Sequence, residues 1–248
     1  MVSVERLALD DRLRIGVLVP SSNTVMENDL HKALPKSQYT VHTARMHLVE
    51  TTSAAERKMI EEFAPTAAEQ LGTLYPHLLV FGCTSAGSLG GPSYDREICQ
   101  RLGEFAGCPG IGVISSVAEA LNRRGLRRLA ILTPYVEELT DSVGQSLKGQ
   151  GFEITAAHGM GINVNFELAQ PSPAEIVAFA KESLNEVEAD GVFVSCTNFR
   201  AFEALPLLEE ELSLPVVTSN SAVLEAVELF ASRARPDSRS PVAPSSWP

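Results

Sequence analysis

The chain is short of several things, and each shortage narrows its chemistry. It has 248 residues but no apolar run as long as the 18 or so a membrane-spanning helix needs. Lys and Arg number only 20 against 31 Asp and Glu, giving a net charge of −11. Such a surface repels phosphate backbones, so nucleic acid is not an expected partner. A small anion can still be held, but only by local donors acting against the global field. There are four cysteines, Cys83, Cys99, Cys108 and Cys196, with no CxxC spacing and no His at zinc-ligand distance. A metal site and a disulfide framework are therefore not expected. The Gly-rich stretch Gly87-Ser88-Leu89-Gly90-Gly91-Pro92 does not fit GxGxxG followed by an acid about 20 residues on, so it reads as a turn rather than a dinucleotide loop. Met1 to Arg14 is mixed and polar and lacks the apolar core of a signal peptide, so the cytoplasm is the expected compartment.

What is present starts with two short apolar runs. His77-Leu78-Leu79-Val80-Phe81-Gly82 ends in Cys83-Thr84-Ser85, and Gly191-Val192-Phe193-Val194-Ser195 ends in Cys196-Thr197-Asn198. Both are too short for helices and rich in β-branched and aromatic residues, as buried strands of a parallel sheet are. Open α/β sheets bind ligands beyond such C-terminal strand ends.

The surrounding pattern alternates strand and helix. Strands are expected at Arg14–Pro20, Gln38–Met46, Leu78–Phe81, Gly110–Ile114, Arg128–Tyr135, Phe152–Ala157, Gly191–Val194 and Pro215–Asn220. Gly159 to Asn165 reads as a loop, and Ser116 and Ser221 as helix starts. Ser21-Ser22-Asn23-Thr24 is a polar turn able to cap the helix that follows. Ser53 to Leu74 has a helical stripe of Met59, Ile60, Phe63, Ala67 and Leu71, which Pro65 must kink or split.

The chain is also an internal repeat. Pro20 and Pro134, which close the opening strands, lie 114 positions apart, and Cys83 and Cys196 lie 113 apart. Four βα steps used twice predict two similar α/β lobes with a ligand cleft between them. The expected division is 13–116 plus a returning last helix at 221–232 for the first lobe, and 117–220 for the second. The Arg-, Ser- and Pro-rich remainder, 233–248, is expected to be a disordered tail.

Cys99, in a helix, and Cys108, before a strand, read as small buried hydrophobes. Cys83 and Cys196 occupy the same place in each repeat, at a strand end opening onto a helix N-terminus. Backbone N–H donors there are expected to lower a thiol pKa and to hold a carboxylate. No His lies beside either cysteine in sequence. Two thiols on opposite faces of a small acid suit proton and bond exchange without a cofactor. Asn23 and Tyr135 follow the opening strands, and Asn163 and Asn165 lie in a glycine-containing stretch.

These residues resemble the Asp/Glu racemase superfamily over about 13–230, and within it the maleate cis–trans isomerase and arylmalonate decarboxylase branch. The matching pieces are Val19-Pro20-Ser21-Ser22-Asn23-Thr24, Gly82-Cys83-Thr84-Ser85, Thr133-Pro134-Tyr135, Gly161-Ile162-Asn163-Val164-Asn165 and Ser195-Cys196. The resemblance implies two pseudo-symmetric Rossmann-like lobes, each with a four-stranded parallel sheet flanked by helices. It implies no metal, no organic cofactor and a homodimer. It makes Cys83 the nucleophile on an alkene carbon of a small dicarboxylate, with Cys196 as acid and base at the other carbon. Asn23, Tyr135 and Asn165 would hold the carboxylates, and Thr84, Ser85 and Thr197 would stabilise enolate-like charge. The alternatives are an amino-acid or hydantoin-type racemase, an arylmalonate-type decarboxylase and a non-catalytic dicarboxylate-binding protein. Decarboxylase relatives use one cysteine where this chain has two. Glutamate racemases carry a His where Asn198 stands here.

Overall fold

The computed structural model describes residues 12–234. Residues 1–11 of the polar opening stretch, which reads as a leader over 1–12, and all but the first two residues of the expected tail lie outside the described residues. Two four-stranded parallel sheets form the framework. The first holds β1 (Leu13–Pro20), β2 (Tyr39–Met46), β3 (Leu78–Phe81) and β4 (Gly110–Gly112) in the order β2-β1-β3-β4. The second holds β5 (Arg128–Tyr135), β6 (Glu153–Ile162), β7 (Gly191–Val194) and β8 (Val216–Thr218) in the order β6-β5-β7-β8. The repeat holds to the residue. Leu18 pairs with Phe81 in one sheet and Leu132 with Val194 in the other, and Gly82 N–H to Leu18 O (2.7 Å) matches Ser195 N–H to Leu132 O (2.8 Å).

Strand alternation divides the core. Ile15, Val17 and Val19 face one apolar cluster while Leu18, on the opposite side of β1, joins another with Leu79, Phe81 and Cys83. The first cluster runs on into β5, β7 and the helices of the second lobe, so the lobes share a continuous core. Helices α6 (Val113–Arg123) and α10 (Ser219–Ala234) pack on each other across it. Glu225 on α10 ties them further, accepting from Arg123 at 3.0 Å and Arg124 at 2.8 Å. The expected lobe boundaries at 116/117 and 220/221 fall inside these two helices.

Several local expectations change. Helix α1 (Met26–Ala33) does start at the polar turn, since Asn23 Oδ1 accepts the N–H groups of Val25 and Met26. Pro65 falls in the first turn of a helix, and the expected span is divided just before it. Between α2 (Ser53–Lys58) and α3 (Ala64–Gly72) the chain widens into one π turn, Met59–Phe63, just before the proline. A wider turn accommodates a ring that has no N–H and would press on the preceding carbonyls. Gly87 and Ser88 belong to α4 (Thr84–Ser88), not to a turn. Strand β4 stops at Gly112, and Val113 and Ile114 open α6 instead of ending the strand. The cause is distant in sequence: the buried Asp95 carboxylate on α5 (Tyr94–Ala106) accepts the Ser115 N–H at 2.9 Å and caps the helix. Residues Gly159–Ile162, expected in a loop, extend β6 along β5. Gly159 allows this, because a Cβ there would sit 2.3 Å from the Tyr135 carbonyl. Helix α10 begins at Ser219 and continues to Ala234, two residues into the expected tail. Helices α7 (Glu137–Lys148), α8 (Pro173–Ser183) and α9 (Ala201–Leu212) complete the second lobe. Among the described residues no helix is long and apolar enough to cross a membrane.

Candidate active site

In each sheet the strand order, not the strand direction, reverses between the two central strands, and such a switch point opens a crevice at their C-terminal ends. The segments leaving β1 and β3 therefore meet those leaving β5 and β7. Asn23 Nδ2 donates to Thr197 Oγ1 at 3.1 Å, and Thr197 Oγ1 donates to the Gly82 carbonyl at 2.9 Å. Thr24 N–H reaches Asn198 Oδ1 at 2.8 Å, and Asn198 Nδ2 reaches the Asn165 carbonyl at 2.6 Å. Asn165 Nδ2 donates to Ser22 Oγ at 2.7 Å. A short antiparallel bridge, Glu50 with Val164, carries Asn165 to this seam. The hydroxyls of Thr84 and Ser219 lie 2.9 Å apart, and Ser219 Oγ accepts the Cys196 N–H at 3.0 Å. All eight residues expected in the site thus gather at one inter-lobe seam, and all are buried.

The two thiols face this seam and are each 4% exposed. The Ala86 N–H donates to Cys83 Sγ, and the Asn198 N–H to Cys196 Sγ at 3.2 Å. The Tyr135 hydroxyl also donates to Cys196 Sγ. These donors do not lower the thiol pKa values as the sequence led one to expect. Burial dominates and pushes Cys83 well above its usual value, with the charge of Glu56 and then Cys196 adding to the push. Burial likewise raises Cys196 to about 12. Tyr135 is also driven up, by burial first and then by the two thiols. Each thiol acts on the tyrosine, which puts all three groups in one electrostatic neighbourhood.

Cys196 has a backbone φ of +97°, a region that costs a non-glycine residue about 1–3 kcal/mol. The Ser219 hydroxyl on its N–H and the Asn198 N–H on its sulfur hold it there. Strain of this kind is retained where a side chain must point in one direction.

Sequence reasoning missed Glu56. It lies in the first turn of α2, is 0% exposed and accepts the Ser85 hydroxyl at Oε1. Its Oε2 is buried without a partner among the described residues. Burial raises its carboxyl from 4.5 to about 8, against the pull of Ser85. A signal existed, because Glu56 falls three and four residues before Met59 and Ile60 and so sits on the apolar stripe of its helix. Ser22 and Ser219 were also missed as seam partners.

Basic side chains near the seam are engaged elsewhere. Arg45 donates to the Ser21 carbonyl at 3.1 Å, the Asn23 carbonyl at 2.8 Å and the Glu27 carboxylate at 2.8 Å. Arg200 pairs with Glu203 on the surface at 3.0 Å. Cys99 packs in the core of the first lobe, and with Cys108 lines an open groove that shares no residue with the thiol pair. Among the described residues no group of three or more His, Cys, Asp or Glu side chains could hold a metal ion.

The fold and the matched thiols define a duplicated α/β protein of two four-stranded parallel sheets, with a candidate site at the seam between them. Residues 15–242 match the model of the arylmalonate decarboxylase family, and the chain belongs to that family. A maleate isomerase from Geobacillus stearothermophilus is 27% identical over 224 residues, 85% of this chain and 88% of that protein. An arylmalonate decarboxylase from Bordetella bronchiseptica is 26% identical over 140 residues, 56% of this chain and 58% of that protein. Among solved structures, a Nocardia farcinica maleate cis–trans isomerase, a cysteine-to-serine variant with a covalently bound succinylcysteine intermediate, superposes with a TM-score of 0.81. It is 21% identical, with 89% of this chain and 93% of that one covered. At that identity the likeness is one of fold.

Proposed function

We propose that the protein is a cofactor-independent cis–trans isomerase of a small unsaturated dicarboxylate, with maleate to fumarate as the leading reaction. One observation carries the reading: two buried thiols at equivalent positions of a repeat meet at one seam together with Tyr135, Asn23 and Asn165. The curated maleate isomerases of the family support it.

In this reading Cys83 Sγ adds to one alkene carbon. The displaced electron pair is delocalised into the adjacent carboxylate, and the other carbon takes the proton of Cys196. A thiol raised to about 12 remains protonated at neutral pH and suits that donor role. The adduct is a succinyl thioether with a single bond between the two central carbons, which rotates. Cys196 then takes its proton back, the C–S bond breaks and fumarate leaves. Asn23, Asn165 and Tyr135 hold the carboxylates. Each exchanges a neutral partner at the seam for a charged one, which strengthens a hydrogen bond by about 1 kcal/mol. Backbone N–H groups at Thr84 and Thr197 meet the developing enolate.

We further infer a cytoplasmic homodimer of two lobes, 13–116 with 221–232 and 117–220. Four free cysteines fit a reducing compartment. Proton NMR of the protein with maleate should show fumarate forming, and Cys83→Ala should abolish it. Turnover that persists in Cys83→Ala would sink the assignment. Turnover of arylmalonates but not maleate would move the chain to its decarboxylase relatives.

A further inference from the structure

The reaction above needs Cys83 as a nucleophile, yet the two largest influences on that sulfur, burial and the charge of Glu56, favour the thiol and outweigh the Ala86 N–H. No histidine is within the seam's hydrogen-bond network. A carboxylate is. Ser85 Oγ sits 3.9 Å from Cys83 Sγ, and the same oxygen donates to Glu56 Oε1. A hydroxyl has one proton, and here it is directed at Glu56. When Glu56 is ionised the Ser85 oxygen is therefore the acceptor toward Cys83, and the three groups form a directed chain, S–H to O–H to carboxylate. Glu56 is sealed from solvent, and among the described residues its buried Oε2 has no partner and the one charge acting on it is that of Glu138. A buried carboxylate without a counter-charge is costly to keep unless it takes up a proton.

We propose that Glu56 is the proton acceptor for the Cys83 thiol, reached through the Ser85 hydroxyl. The sulfur lone pair forms the C–S bond as the S–H bond breaks. That proton passes to Ser85 Oγ while Ser85 releases its own to Glu56. The products are a thioether, a restored hydroxyl and a neutral carboxylic acid, and no outside base is consumed. The reverse transfers regenerate the carboxylate when the thioether breaks. Glu56 acts through Ser85 and does not touch the substrate, so it is a positioning residue with a proton-holding role. Its carboxyl, raised to about 8, is matched to that exchange near neutral pH. The proposal rests on Cys83 being the nucleophile, as inferred above.

The test does not need the natural substrate. The rate of Cys83 alkylation by iodoacetamide is followed by peptide mass from pH 6 to 10 in the full chain. In the wild type it should rise through about pH 8 and then level off, the profile of a base with that pKa. In Glu56→Gln the rate should be about 100-fold lower at pH 8.5 and should keep rising beyond pH 9 as the thiol itself ionises. Ser85→Ala should behave like Glu56→Gln, and Glu56→Asp should fall between. With maleate, Glu56→Gln should lower kcat and leave KM nearly unchanged. If Glu56 only adds negative charge beside the thiol, its removal makes the thiolate easier to form. Glu56→Gln would then react faster than the wild type, and that result, or an unchanged profile, overturns the proposal. A Ser85→Ala variant that matches the wild type overturns the relay. The expected alkylation profile in a protein that does not isomerise maleate would keep the relay and reject the substrate.

Discussion

Glu56 should make the stability of the fold fall as pH rises. Its carboxyl is buried completely and shifted from 4.5 to about 8. An acid whose folded pKa lies above its unfolded one stabilises the fold while it is protonated. That contribution is complete below about pH 4.5 and is lost as pH rises through about 8. At about 1.4 kcal/mol per pH unit, the window corresponds to at most about 5 kcal/mol between pH 5 and 9. It is an upper bound because α2 can shift and admit water to the charged form. Glu56→Gln removes the titration. It also leaves a buried amide short of a partner, at about 1–3 kcal/mol. The two stability curves should therefore cross, with the variant weaker at pH 5 and stronger at pH 9. Urea unfolding at pH 5, 7 and 9 measures both proteins. Asp29, raised by burial to about 6, titrates in the same range but is common to both, so the difference between the proteins isolates Glu56. A difference that stays constant across the three pH values would refute the reasoning and mean that Glu56 is solvated.

Three further outcomes follow from the geometry. Cys196→Gly should be more stable than Cys196→Ala by about 1–2 kcal/mol, because only glycine is at ease at a φ of +97°; equal melting temperatures would remove the strain argument. Asn23→Ala loses the cap of α1 and the bond to Thr197, so it should cost about 1–2 kcal/mol and raise KM more than it lowers kcat. Gly82→Ala would place a Cβ 2.6 Å from Met26 Sδ and 2.8 Å from the Leu18 carbonyl, and the displaced exit of β3 should cost about 1–3 kcal/mol in denaturant and misplace Cys83.

Features that repeat or alternate were legible in the sequence. The 114- and 113-residue offsets predicted two like sheets, and the register of β1 on β3 and β5 on β7 follows them to the residue. Cys83 and Cys196 were found because duplication exposes a side chain kept twice. Features set by distant partners were not legible. Val113 and Ile114 look like strand residues, and only the Asp95 carboxylate, from another helix, makes them helical. Gly159 suggested a loop until the Tyr135 carbonyl showed why a residue without Cβ belongs in that strand. The direction of the thiol shifts was misjudged because local N–H donors are visible in a sequence and the depth of burial is not. Glu56 was overlooked for the same reason: its depth of burial against Ser85 is not visible in the sequence.

The inter-lobe seam has a kinetic consequence. Asn23, Asn165, Thr197 and Asn198 bond to one another or to the facing backbone, and both sulfurs are 4% exposed. A diacid reaches them only when the halves part and those amides let go. Capture and escape then share one gate, of the kind that limits turnover in many enzymes. Solvent viscosity should slow the cycle, and a covalent staple across the seam should stop it while leaving the chemistry of each thiol intact.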